Sequence, residues 1–154
     1  MAAKKTNQLM LLLFSLLFLL NSCEKVNEQT GIYFLQNEWI VQSVTNEGKR
    51  FRTPSDKIFR ENAYILKFVG DSIFEMHTSV NYAGGNYQIV SERHIIISHY
   101  GEWTEVYNSL EHQRNFDEQL VSIFNGKMSY SYKKNKLIFR NEQNQEIVFA
   151  MHKY

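Results

Sequence analysis

The 154-residue chain has one cysteine, one proline and seven glycines, and its formal charge is only +1. A single thiol rules out an intrachain disulfide, so packing and backbone pairing must supply the stability. The near balance of charge, with no basic stripe, argues against nucleic-acid binding. KRFR (49–52) and KKNK (133–136) are the short basic runs, and both are expected in solvated turns. No apolar run is long enough to cross a bilayer: the greasiest, Leu9 to Leu20, is broken only by Ser15 and would rise about 18 Å as a helix, against roughly 30 Å of hydrocarbon.

That run follows Lys4 and Lys5, a basic segment ahead of an apolar one, which is the layout of a signal sequence. Behind it stands Leu20-Asn21-Ser22-Cys23, which resembles a bacterial lipobox, with an aliphatic residue at minus three and a small one at minus one. The resemblance implies a signal peptide over 1–22 and lipid attachment at Cys23, which becomes the acylated N-terminus. Two or more acyl chains hold a protein durably where one does not. A plain secretory signal would instead leave an exposed odd thiol in an oxidising compartment. Residues 23–30 then form a polar tether and 31–154 a single domain. Loss of 1–22 removes Lys4 and Lys5 and no acid, leaving the mature chain near neutral.

Most of the remainder alternates with period two. Strands are expected at 38–44, 64–69, 73–80, 94–100, 127–133, 136–140 and 146–154, with a turn and the start of another after residue 44. Gly70-Asp71-Ser72 makes a hairpin turn. Gly84-Gly85 reads as a corner, where positive φ is cheap, ahead of a further strand. The period then changes: Phe116, Leu120, Ile123 and Phe124 share one helical stripe that ends at Asn125-Gly126. Seven to nine short strands and one helix make the fold mainly β (α+β), a strongly curved antiparallel sheet or lipocalin-like barrel.

Trp39 near the start, the turn residues Asn81, Tyr82, Gly84, Gly85 and Tyr87, Thr104 after a strand, the helix FDEQLVSIF and paired terminal strands occur in an order that resembles the META/HslJ-like domain of bacterial envelope lipoproteins. The resemblance spans roughly 31–152. Many relatives carry two cysteines, before the Asn and after the Thr, whose positions suggest a bridge; here Val80 stands in the first place and the second is missing too. The resemblance implies a barrel and an envelope location, and no catalytic set.

The residues themselves offer little chemistry. Gly70-Asp71-Ser72-Ile73 resembles the nucleophile block of GDSL-type esterases, but Ser72 lies between two strands, and none of Asp56, Asp71 and Asp117 has a His three residues on. His94 and His99, five apart, face opposite sides of a strand; His77 and His152 are single, and Glu111-His112 lacks the spacing of a zinc helix. No metal site and no cofactor is expected. Glu102/Glu105 and Asp117/Glu118 are carboxylate pairs, and the latter reads as complementing a helix dipole. Trp39, Tyr82, Tyr87, Trp103, Tyr130 and Tyr132 are better core than cavity lining. The expected function is therefore a non-enzymatic binding or accessory module, lipid-anchored and, since Glu24 rather than Asp follows Cys23, expected at the outer membrane. The expected partners are the membrane and either an envelope protein or a small apolar ligand, the latter making the protein a lipocalin-like carrier.

Overall fold

The computed structural model describes residues 32–55, 62–99, 106 and 108–153. The leader, Cys23, the tether, Asp56, Glu102, Trp103, Thr104 and Glu105 lie outside the described residues. A short 3-10 turn, η1 (Ile32–Gln36), precedes β1 (Glu38–Asn46), β2 (Lys49–Arg52), β3 (Ile65–Val69), β4 (Ile73–His77), β5 (Tyr82–Ser91) and β6 (His94–His99). The single α-helix among the described residues, α1 (Glu111–Ile123), then leads to β7 (Gly126–Lys133), β8 (Lys136–Asn141) and β9 (Glu146–Met151).

All pairings are antiparallel, and β1 pairs with β9, so β1 and β3 to β9 close into an eight-stranded barrel. The closure depends on a bulge in β1. Val41 faces Phe149 but Ser43 faces Val148, so Gln42 is extra. Such a bulge bends a strand and increases its twist. At the same place β1 changes neighbours on its other edge: residues 38–40 pair with β3 and 43–46 with β2. KRFR is therefore a short edge strand, the one expected to start after residue 44, and not a solvated turn; Glu47 and Gly48, at φ 49° and 76°, form the tight link that returns it onto β1. KKNK does make the β7–β8 turn.

The alternating residues supply the inner wall: Trp39 and Val41 on β1, Leu66 and Phe68 on β3, Phe74 and Met76 on β4, Ile95 and Ile97 on β6, and Phe139, Ile147 and Phe149 on β8 and β9. Two plugs close the barrel. At one end Phe34 of η1 sits 4.8 Å from the Tyr130 ring and 5.4 Å from Phe68, while Trp39 Nε1 donates to the Phe34 carbonyl at 2.7 Å. From the other, Phe124 at the end of α1 reaches Phe74, Phe139 and Phe149, with centroids 5.3, 5.6 and 6.2 Å away. Aromatic edge-to-face contacts thus run through the interior from end to end.

Gly84 and Gly85 are not a corner. Both lie inside β5, and neither has positive φ. Gly85 faces inward, where an added Cβ would overlap the Ser98 carbonyl oxygen and come within 2.6 Å of the Phe74 ring. Gly84 faces outward beneath the Tyr82 ring, which covers it. The glycines provide close approach of β6 and room for an aromatic core, which a local reading of turn propensity does not see. Gly85→Ala should therefore lower the unfolding free energy by about 3 kcal/mol in a urea titration, and Gly84→Ala, met only by a movable tyrosine ring, by about 1 kcal/mol.

Candidate functional site

Helix α1 lies across the end of the barrel that carries the β4–β5 loop and the β1–β2 and β8–β9 links; Asn46 Nδ2 donates to Gln119 Oε1 at 2.5 Å and ties the helix to β1. Its buried stripe is Gln113, Phe116, Asp117, Leu120 and Ile123. Three are apolar and two are polar. The first turn carries Glu111, while Asp117 falls mid-helix and is only 8% exposed, so Asp117 does not serve the helix dipole.

Asp117 is instead the hub of a buried polar network. Tyr64, just ahead of β3, donates its hydroxyl to Asp117 Oδ1 at 2.8 Å. Ser79 of the β4–β5 loop donates its hydroxyl to Oδ2 and its backbone N–H to Oδ1. Asn108 donates its side-chain Nδ2 to Ser79 Oγ at 2.6 Å and to Gln113 Oε1 at 2.9 Å, and its side-chain Oδ1 accepts from Leu110 N. Burial raises the Asp117 carboxyl above its ordinary range, and the hydrogen bonds from Ser79 and Tyr64 only hold that rise back. The Tyr64 phenol is pushed far up, first by burial and then by the Asp117 charge, so it stays a donor at any physiological pH. The three segments preceding β3, following β4 and preceding α1 are thereby fastened to one carboxyl.

Beside this network lies a cavity of about 590 Å³. Val80, Val106 and Val121 provide apolar wall; Thr78, Asn81, Asn108, Arg114, Asp117, Glu118 and Ser122 provide polar rim. Asn81 sets the loop: its Oδ1 accepts from Val106 N at 2.7 Å and its Nδ2 donates to the Val106 carbonyl at 3.1 Å, pairing a side-chain amide with backbone as a strand would. Thr78 and Asn81 close a tight turn through Thr78 N to the Asn81 carbonyl, at 2.8 Å. A second, smaller cavity of about 270 Å³ sits on the outer wall around the Lys67–Glu38 ion pair, His77 and His152.

Of the motif residues, only Asn81 reaches the larger cavity. Tyr82 lies 5.1 Å from the His77 ring on the outer wall, Gly84 and Gly85 are wall, and Tyr87 is buried against Phe68 at 4.9 Å with its hydroxyl donated to the Gly70 carbonyl. Trp39 is fully buried, while Tyr82, Tyr130 and Tyr132 are half-buried. His94 and His99 do face opposite sides: His94 is exposed beside Ser91, whereas His99 packs against Phe74 and donates Nε2–H to the Phe124 carbonyl. Burial lowers the His99 pKa, and that hydrogen bond opposes the fall. Among the described residues no cluster of three or more His, Cys, Asp and Glu side chains could hold a metal. Ser72 is exposed in the β3–β4 turn with β4, not a helix, behind it. The sequence signal for the Asp117 network was present but polar: 113, 116, 117, 120 and 123 follow helical spacing, and a stripe judged by apolar residues alone omits 113 and 117.

The chain matches no protein-family model and no curated relative. Among solved structures it is similar to one described as the NMR structure of the protein from Burkholderia xenovorans, with a TM-score of 0.61 over 86% of this chain and 93% of that one. At 10% identity the likeness is one of fold: a mainly β, closed antiparallel barrel with one helix.

Proposed function

We propose that this is a lipid-anchored protein of the bacterial envelope, META/HslJ-like in kind, that acts as a non-enzymatic binding module through the cavity at the flank of α1. The observation that carries the reading is the cavity itself: three valines backed by a rigid, hydrogen-bonded rim make a concave site of the size that small ligands occupy. Its polar groups are suited to holding rather than reacting. Ser79 is fully buried with its hydroxyl committed to Asp117 and Asn108, and none of the five histidines lines the cavity. The order of strands, with one helix between β6 and β7, supports the family reading, and the lipobox at Leu20 to Cys23 supports the address.

The apolar-carrier reading draws support from the barrel shape. The described interior, however, is filled by Phe74, Phe124, Phe139 and Phe149, so a carried molecule fits the end cavity rather than the bore. An NMR screen with a library of small apolar alcohols, amines and carboxylates should move the resonances of Val80, Val106 and Val121 in the intact protein, and Val121→Trp, which fills the space, should abolish those shifts. Turnover in a broad hydrolase panel that disappears in Asp117→Asn would overturn the proposal.

A further inference from the structure

The end of the barrel opposite α1 carries the β3–β4, β5–β6 and β7–β8 turns, η1 and the exit of β9. Backbone hydrogen bonds knit these into one rim: Tyr130 N donates to the Arg93 carbonyl, Met151 N to Asn135 and His152 N to Glu38, all at 2.8 to 2.9 Å. Five large apolar residues of the described chain are exposed, and four are on this rim: Tyr33 at 55%, Val69 at 38%, Ile73 at 39% and Val90 at 50%. Val69 and Ile73 face each other across the β3–β4 turn, and Val90 is the extra residue of a bulge before Ser91. Exposed apolar residues are ordinary when scattered; here they share one end. Lysines stand among them: Lys133, Lys134 and Lys136 in the β7–β8 turn and Lys153 beyond β9 are all exposed, against Asp71 and Glu92 in the other two turns. Glu38, also on this end, is paired with Lys67.

We propose that this rim is a membrane-docking face that settles on a phospholipid bilayer through anionic headgroups, its lysines on the phosphates and its apolar tips at the acyl boundary. The inference rests on lipid attachment at Cys23, as proposed above. Cys23 is nine residues before Ile32, which enters the fold at this same end, so a fully extended tether holds the rim within about 30 Å of the membrane. Within that reach a contact too weak to recruit a free protein becomes an intramolecular one at high effective concentration. Charge and apolar residues then act together as they do in peripheral membrane proteins, and the α1 cavity is left facing away from the bilayer.

The test uses the full lipidated chain reconstituted in vesicles of phosphatidylcholine alone or mixed with phosphatidylglycerol, with hydrogen exchange read across the barrel. In the mixed vesicles, amides of residues 69–73, 91–94 and 133–136 should exchange roughly several-fold more slowly, and about 1 M salt, where screening acts within about 3 Å, should remove the difference. The combined variant Lys133→Glu, Lys134→Glu, Lys136→Glu should lose it as well, while exchange in α1 stays at its original rate and reports an intact fold. Equal exchange at the rim on both vesicle types, with the protein floating alongside both, overturns the docking and leaves the anchor standing. A chain that floats with neither overturns the anchor, and the docking with it.

Discussion

Phe124→Ala should lower the unfolding free energy by about 3–5 kcal/mol, the largest loss of any single substitution considered. Phe124 has no exposed surface, and its ring packs against Phe74 on β4 and against Phe139 and Phe149 on the neighbouring strands β8 and β9. A cavity opened there cannot be filled by collapse, because the surrounding rings are fixed by the closed hydrogen-bonded wall. The carbonyl of the same residue accepts from His99, so the substitution keeps the backbone link and isolates the packing cost. Phe124→Leu, which retains most of the volume, should recover more than half of the loss. Chemical denaturation followed by tryptophan fluorescence measures both. A loss below about 1 kcal/mol for the Ala variant would show that the interior is not organised around this ring.

Asp117→Ala should cost about 3 kcal/mol, because it deprives the fully buried Tyr64 and Ser79 hydroxyls of their acceptor. Asp117→Asn keeps an acceptor and should cost about 1 kcal/mol at neutral pH. The pH dependence separates the two effects. Burial raises the folded-state pKa of Asp117 above its ordinary 3.8, so the fold favours the protonated acid. The stability this contributes is complete below 3.8 and is lost as pH climbs from there through the raised value. The stability of the native protein minus that of Asp117→Asn should therefore fall over that interval and level off above it. Urea midpoints at a series of pH values give the curve; a difference that rises with pH would mean that the carboxylate, not the acid, is the favoured form.

Much of the wall was legible locally because alternation is a local property. Leu66/Phe68, Phe74/Met76 and Ile147/Phe149 each declare their inner face from sequence spacing, and the structure buries all six. What was not legible depends on residues far apart in the chain. Gly84-Gly85 carries a strong turn signal, overridden because Phe74 and the β6 backbone require the space that a side chain would take. The bulge at Gln42 is visible only against β9, more than a hundred residues later. KRFR looks like solvated turn until β1 offers it a partner edge. Asp117 was legible as a helix residue but not as a buried one, since its burial is justified only by donors 38 and 53 positions away.

The seam between β1 and β9 joins the earliest strand to the latest. Loop-closure entropy must be overcome before that pairing rewards the chain, so the ring is expected to form in milliseconds to seconds rather than microseconds. Until residues 146–151 emerge, the edge of Trp39 to Thr45 has nothing to lie against. A polypeptide threaded through a translocation channel N-terminus first would consequently stay open, and extensible, until nearly all of it had passed.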